Sequence, residues 1–177
     1  MQYTFVTDYS RKTLSVMARC IRKTVRKVKS KRSHIFGWIV IVLAPLLPFR
    51  SIEGSFVLSL NGIVTWAAAL VMLFALLFED SINGYFAGKR MLKGTEKAFS
   101  TFDTENRESF RSETPIEKSE FSYDSIQLIC EPDRFFVFVF STSHAQIYDK
   151  ATLSGGSPDA FREFIAGATG KQVVAVK

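Results

Sequence analysis

The sequence predicts a membrane α-helical hairpin joined to an α+β domain, the latter a curved antiparallel sheet closed by a C-terminal helix. Three observations carry that fold class. An uncharged apolar run fills the middle of the chain, the excess positive charge lies ahead of it, and an alternating, turn-punctuated segment follows. Of the net charge of +6, residues 1–33 hold +9, residues 34–78 zero and residues 79–177 −3. The chain is 47% hydrophobic and carries 17 Phe, which excludes a disordered polymer. Its two cysteines, Cys20 and Cys130, exclude a disulfide framework and a four-thiolate zinc site.

Residues 2–7 alternate weakly, with Tyr3 and Phe5 on one side, and read as a short strand. Asp8 or Ser10 caps the helix that follows. Leu14, Met17, Ile21, Val25 and Val28 recur at spacings of three and four and form one apolar face. Cations fill much of the rest. Arg19, Arg22, Lys23, Arg26, Lys27, Lys29, Lys31 and Arg32 are therefore expected at the membrane surface, against anionic lipid head groups. The same helix can instead pack its apolar face on the domain and leave its charge solvated. Nucleic acid is not expected as a partner, because no interleaved aromatics or reading motif accompany the charge.

Residues 56–78 contain 23 residues without a formal charge, roughly 34 Å as a helix and enough for one crossing. Residues 35–49 are shorter. Pro45 and Pro48 remove amide donors near their end, and the span is completed only by counting to Ile52 with Arg50 snorkelling. A re-entrant segment is the alternative. No A-x-A site follows the first run, so a cleaved signal peptide is not expected. Lys89, Arg90, Lys93 and Lys97 follow the second run, so the positive flanks place both termini in the cytoplasm of a multi-pass protein. The expected organisation is an arm at 1–33, the hairpin at 34–78, a linker at 79–94 loosened by Gly84, Gly88 and Gly94, and a cytoplasmic domain at 95–177.

In that domain, 97–103 and 107–113 flank a turn at Thr104–Asn106. Pro115 separates them from 125–131, Pro132–Asp133 turns the chain into 134–140, and His144–Tyr148 adds a last strand to a five-stranded meander. Phe136, Phe138 and Phe140 point one way, while Phe135, Val137 and Val139 point the other. A strand apolar on both faces must be covered on both. The last helix covers one face. The Leu14–Val28 stripe, or a partner, covers Phe135, Val137 and Val139. Ser157 caps that last helix, Pro158 opens it, Phe161, Phe164, Ile165 and Ala168 form its face, and Gly167 or Gly170 ends it. Such a sheet closed by a C-terminal helix is the pleckstrin-homology-like plan.

Tyr123–Ile126 leading to Glu131, the aromatic strand Arg134–Phe140, Ala145–Lys150 and Phe161–Ile165 resemble the YcxB-like bacterial membrane proteins. The order of strand, basic helix, hairpin and domain fits as well. The turn Ile147-Tyr148-Asp149-Lys150 departs from an Ile-Pro-Lys-like pattern in that family. The resemblance implies a bacterial cytoplasmic (inner) membrane protein with a pleckstrin-homology-like domain. It implies no catalytic residue and no cofactor.

His34 reads as a polar interface flank and His144 as a turn residue. No second ligand stands at metal-binding spacing from either. Ser154–Ser157 lacks the Lys and the spacing of a phosphate loop. The expected function is a non-enzymatic, membrane-anchored interaction module, with the lipid bilayer and an unidentified protein as partners. The alternatives are an immunity protein against a membrane-active toxin and a small subunit of a homo-oligomeric transporter or channel.

Overall fold

The computed structural model describes residues 2–43, 60–91 and 97–176. Pro45, Pro48, the turn around Arg50, the start of the 56–78 run and Gly94 lie outside them.

Two four-stranded sheets form the body. β1 (Gln2–Asp8) turns Tyr3, Phe5 and Thr7 inward by simple alternation. It pairs antiparallel with β2 (Lys97–Asp103), Gln2 opposite Asp103 and Asp8 opposite Lys97. β3 (Ser109–Glu113) and β4 (Lys118–Ser122) complete the order β1-β2-β3-β4. The β3–β4 turn contains Pro115 and is closed by the Thr114 amide donating to the Glu117 carbonyl at 2.8 Å.

The second sheet holds β5 (Leu128–Glu131), β6 (Phe135–Val139), β7 (Ala145–Asp149) and β8 (Val173–Ala175), in the order β7-β6-β5-β8. β8 runs parallel to β5. Between the sheets lies an aromatic core. It is closed by a helix, Pro158–Thr169, with Ser157 accepting the Ala160 amide at 3.1 Å and Gly170 ending it at φ 64°. Phe161 on this helix touches both sheets, with ring centroids 4.8 Å from Phe5, 5.1 Å from Phe102 and 5.2 Å from Phe136.

The other face of the second sheet carries α1 (Arg11–Lys23). Ser10 caps it in a reciprocal box with Thr13. Leu14, Met17, Cys20 and Ile21 pack on Phe135, Val137, Val139, Ala145 and Ile147. Cys20 and Cys130 are both free thiols buried in this cluster. α2 (Lys27–Leu43) follows a break. α3 (Leu60–Leu77) packs on α2, where Gly37 meets Leu76: a Cβ on Gly37 would stand 2.7 Å from Leu76 Cδ1. α4 (Glu79–Met91) lies on α1. The helix at Pro158–Thr169 is α5.

The expected fold class needs correction. No single described helix is long and apolar enough to cross a membrane. In α2 the continuous apolar run begins only at Ile35, after a first half that is charged and polar apart from Val28, so the described apolar stretch to Leu43 rises roughly 13 Å. Gly62–Leu77 and Glu79–Lys89 reach that length and apolar content only together, across a bend of 77°. The body is two sheets rather than one curved sheet closed by a helix. β4, at Lys118–Ser122, was not expected there, because its charged and serine-rich sequence alternates only half-buried positions. β8 follows the last helix and adds a parallel strand.

Two boundaries also differ. The apolar stripe does not run on to Val28. The helix breaks at Thr24–Arg26, where the Thr24 hydroxyl donates back to the Cys20 carbonyl at 2.6 Å and the Arg26 amide reaches the Ile21 carbonyl. Val25 and Val28 are exposed beyond it. Residues 79–91 are helical rather than linker. Gly84 and Gly88 are buried, and a Cβ at Gly84 would stand 2.8 Å from the Ser15 amide nitrogen, so a glycine that reads as a breaker is a close-packing position against α1.

An ion triad ties α5 and the 3-10 turn at Lys150–Thr152 to β5. Glu131 accepts from Lys150 Nζ at 2.5 Å and from Arg162 Nε and Nη2 at 2.7 and 2.6 Å. The Arg162 hydrogen bonds, against the opposing effect of burial and with Lys150 adding to them, lower the Glu131 carboxyl from 4.5 to about 2. A carboxyl lowered by folding stabilises the fold above its unfolded pKa and loses that contribution as pH falls towards the folded value. Glu131→Gln is therefore expected to cost about 2 kcal/mol at neutral pH, after allowing for solvent screening of Arg162. In urea titrations the gap to the wild type should hold down to about pH 5 and close between there and about pH 2. A gap that does not change with pH would contradict the assignment.

Candidate functional site

The α1–α2 junction and the α3–α4 bend meet at a cluster of charges. Asp80 takes a bidentate pair of bonds from Arg22, Nε and Nη2 both at 2.7 Å, and Arg19 Nε lies 3.4 Å from it. Glu79 stands 3.7 Å from Arg22 Nε and accepts from His34 Nε2 at 2.7 Å. Burial alone would raise the Asp80 carboxyl. The hydrogen bonds and charge of Arg22, with Arg19 behind it, outweigh burial and hold it below its ordinary value. Glu79 and Asp80 open α4 at the positive end of its dipole, which suits carboxylates. The two acids thus fix α1, α2 and α4 to one another at the bend.

This sorts the cations expected at a lipid surface. Arg19 and Arg22 are engaged with α4, so Arg22 in particular is a structural clamp. Lys23 joins the turn. Arg26, Lys27, Lys29, Lys31 and Arg32 are exposed along the break and the first half of α2. Among the described residues none of these five has an acidic partner. Phe135, Val137 and Val139 lie at most 8% exposed beneath α1, so that strand face meets the chain's own helix and offers no surface to a partner. His34 is part of the clamp. His144 stacks on Phe140, with centroids 5.0 Å apart.

Beside the cations lies an apolar surface. On α2, Ile35, Phe36, Trp38, Ile39, Val42 and Leu43 are exposed. On α3, Ile63, Val64, Leu70, Val71, Phe74 and Leu77 are each more than half exposed, with Trp66 among them and Phe78 just past the helix end. At ~100° per residue the α3 group covers roughly 160° of the helix. Contiguous apolar surface of this extent is unfavourable against water and marks a site that something covers. The acids at the α3–α4 bend and the cations of α2 lie at its margin.

Several clefts are open on the described surface. The one nearest the cations holds about 560 Å³ between the α1–α2 turn, the first half of α2 and β8. Another, about 270 Å³, lies by β4 and β7 and includes Phe121, His144 and Gln146. Among the described residues no group of three His, Cys, Asp or Glu side chains could hold a metal. Compared with protein-family models, with curated proteins and with solved structures, the chain finds no match.

Proposed function

We propose that the protein is a membrane-associated, non-catalytic interaction module of a bacterial cytoplasmic membrane. The observation that carries this reading is the exposed apolar surface of α2 and α3 with an uncompensated row of cations along its margin. Apolar residues beside Lys and Arg are the arrangement of an interfacial element, with the apolar side in the acyl boundary and the charge at the phosphates. Trp38 and Trp66 add the amphipathic rings that favour the interface. The resemblance to YcxB-like proteins agrees with that location. The two-sheet body stands on α1 away from this surface. Its edge strand β4 has no neighbour on its outer side among the described residues, so an extended peptide can add there by main-chain bonds.

The chain has two tryptophans, and both lie on the apolar pair. With the full chain and vesicles of phosphatidylcholine containing phosphatidylglycerol, co-flotation is expected. Tryptophan emission should shift to the blue and be quenched by brominated acyl chains. A chain that stays below the vesicles with unchanged emission would refute the membrane reading.

A further inference from the structure

We propose that the cleft between the α1–α2 turn and β8 binds the phosphate of an anionic phospholipid head group. The proposal rests on the membrane reading and gives it a defined contact. At about 560 Å³ the cleft is within the size range of small-ligand sites, roughly 300–1,000 Å³, and is roomier than a bare phosphate requires. Lys23, Lys27 and Lys31 bring ammonium groups to it, Ser30 brings a hydroxyl, and Val174–Val176 form an apolar wall. Among the described residues no Asp or Glu lines it. Among the described residues, Lys27 and Lys31 lack an acidic partner and the Ser30 hydroxyl lacks a hydrogen-bond acceptor. Arg22 and His34, at its inner end, are already held by Asp80 and Glu79.

The alignment follows from helical geometry. Lys27, Ser30 and Lys31 stand on one face of α2, where like charges four residues apart repel. No acid occupies the first turn of α2 to offset them. Around a phosphate the same groups become charge-assisted donors.

The source of the phosphate is argued from what lies next to the cleft. From Lys31 to Ile35 the helix rises ~6 Å, about the depth of the boundary between head groups and acyl chains. Beyond it Ile35, Phe36, Trp38 and Ile39 are exposed. A lipid whose chains lie along these residues leaves its phosphate at Lys27 and Lys31. A free phosphate ion would make no use of that apolar continuation.

The test compares two charge-matched variants of the full chain, on phosphatidylcholine vesicles with and without phosphatidylglycerol. Lys27→Ala with Lys31→Ala empties the cleft of two donors. Lys29→Ala with Arg32→Ala removes the same charge from the opposite face of α2. The cleft variant is expected to lose on the order of tenfold more preference for phosphatidylglycerol than the other, two cations at a surface being the size of effect at issue. Lys27→Arg with Lys31→Arg should restore the preference, and both alanine variants should keep binding phosphatidylcholine alone. Equal losses in the two alanine variants would overturn the cleft and leave the membrane reading standing. Competition by inorganic phosphate as effective as that of phosphatidylglycerol would overturn the lipid source. Absence of binding to either vesicle by the wild type would overturn the membrane reading and this proposal together.

Discussion

Phe161→Ala is expected to lower folding stability by about 4 kcal/mol, the upper range for a large aromatic removed from a close-packed core. The ring is fully buried and makes edge contacts with Phe5 from one sheet and Phe136 from the other. Its loss therefore leaves a cavity at the one point where α5 and both sheets meet, and neither sheet can collapse into it without shifting its strands. Phe164→Ala, half-buried on the same helix face, should lose about 1–2 kcal/mol. Urea unfolding followed by near-ultraviolet dichroism measures both. Equal losses would mean that α5 is not seated between the sheets as described.

Gly155→Ala is expected to cost about 3 kcal/mol or more, although only one methyl group is added. Gly155 has φ +93°, a conformation that costs an L-residue about 1–3 kcal/mol. A Cβ there would also overlap the Gln2 carbonyl oxygen. Beside it, Thr4 and Ser154 exchange a pair of backbone bonds at 3.0 Å, which tie β1 to the loop ahead of α5. The methyl must displace either the loop or β1, and overpacking adds about 1–3 kcal/mol. A loss below about 1 kcal/mol in the same urea titration would show that the loop moves freely.

Local chemistry was legible in the sequence. Alternation at Tyr3 and Phe5, the Ser157-Pro158 start and the two-sided apolar strand at 135–139 each point to an element that the fold contains. The stripe at Leu14, Met17 and Ile21 gave the cover for Val137 and Val139, because an apolar strand face and an apolar helix face within one small domain have few other places to go. What could not be read is long-range. β8 is three residues whose pairing to β5 depends on the path of α5. β4 has no apolar alternation to announce it. Gly84 carries opposite meanings in a loop and at a helix contact, and only the position of Ser15 decides between them.

The site was half legible. The cations were visible as a run, but their division between clamp and surface depends on Glu79 and Asp80, some fifty to sixty positions away in the chain. The apolar run was visible too, and it suggested complete crossings. Among the described residues no single helix is long and apolar enough for one, and Gly62–Leu77 meets Glu79–Lys89 at a bend of 77°.

The pairing of β1 with β2 has a consequence for biosynthesis. Gln2 waits for Asp103 and Asp8 for Lys97, so the first strand leaves the ribosome with nothing to pair with until all the apolar helices have been made. Closing so long a loop late is slow. During that interval the nascent chain presents Ile35–Leu43 and then Ile63–Leu77 to whatever surface is nearby, before any folded body exists to occupy it. The order of translation thus exposes these apolar helices before the β1–β2 pair that ties the two ends of the body together can form.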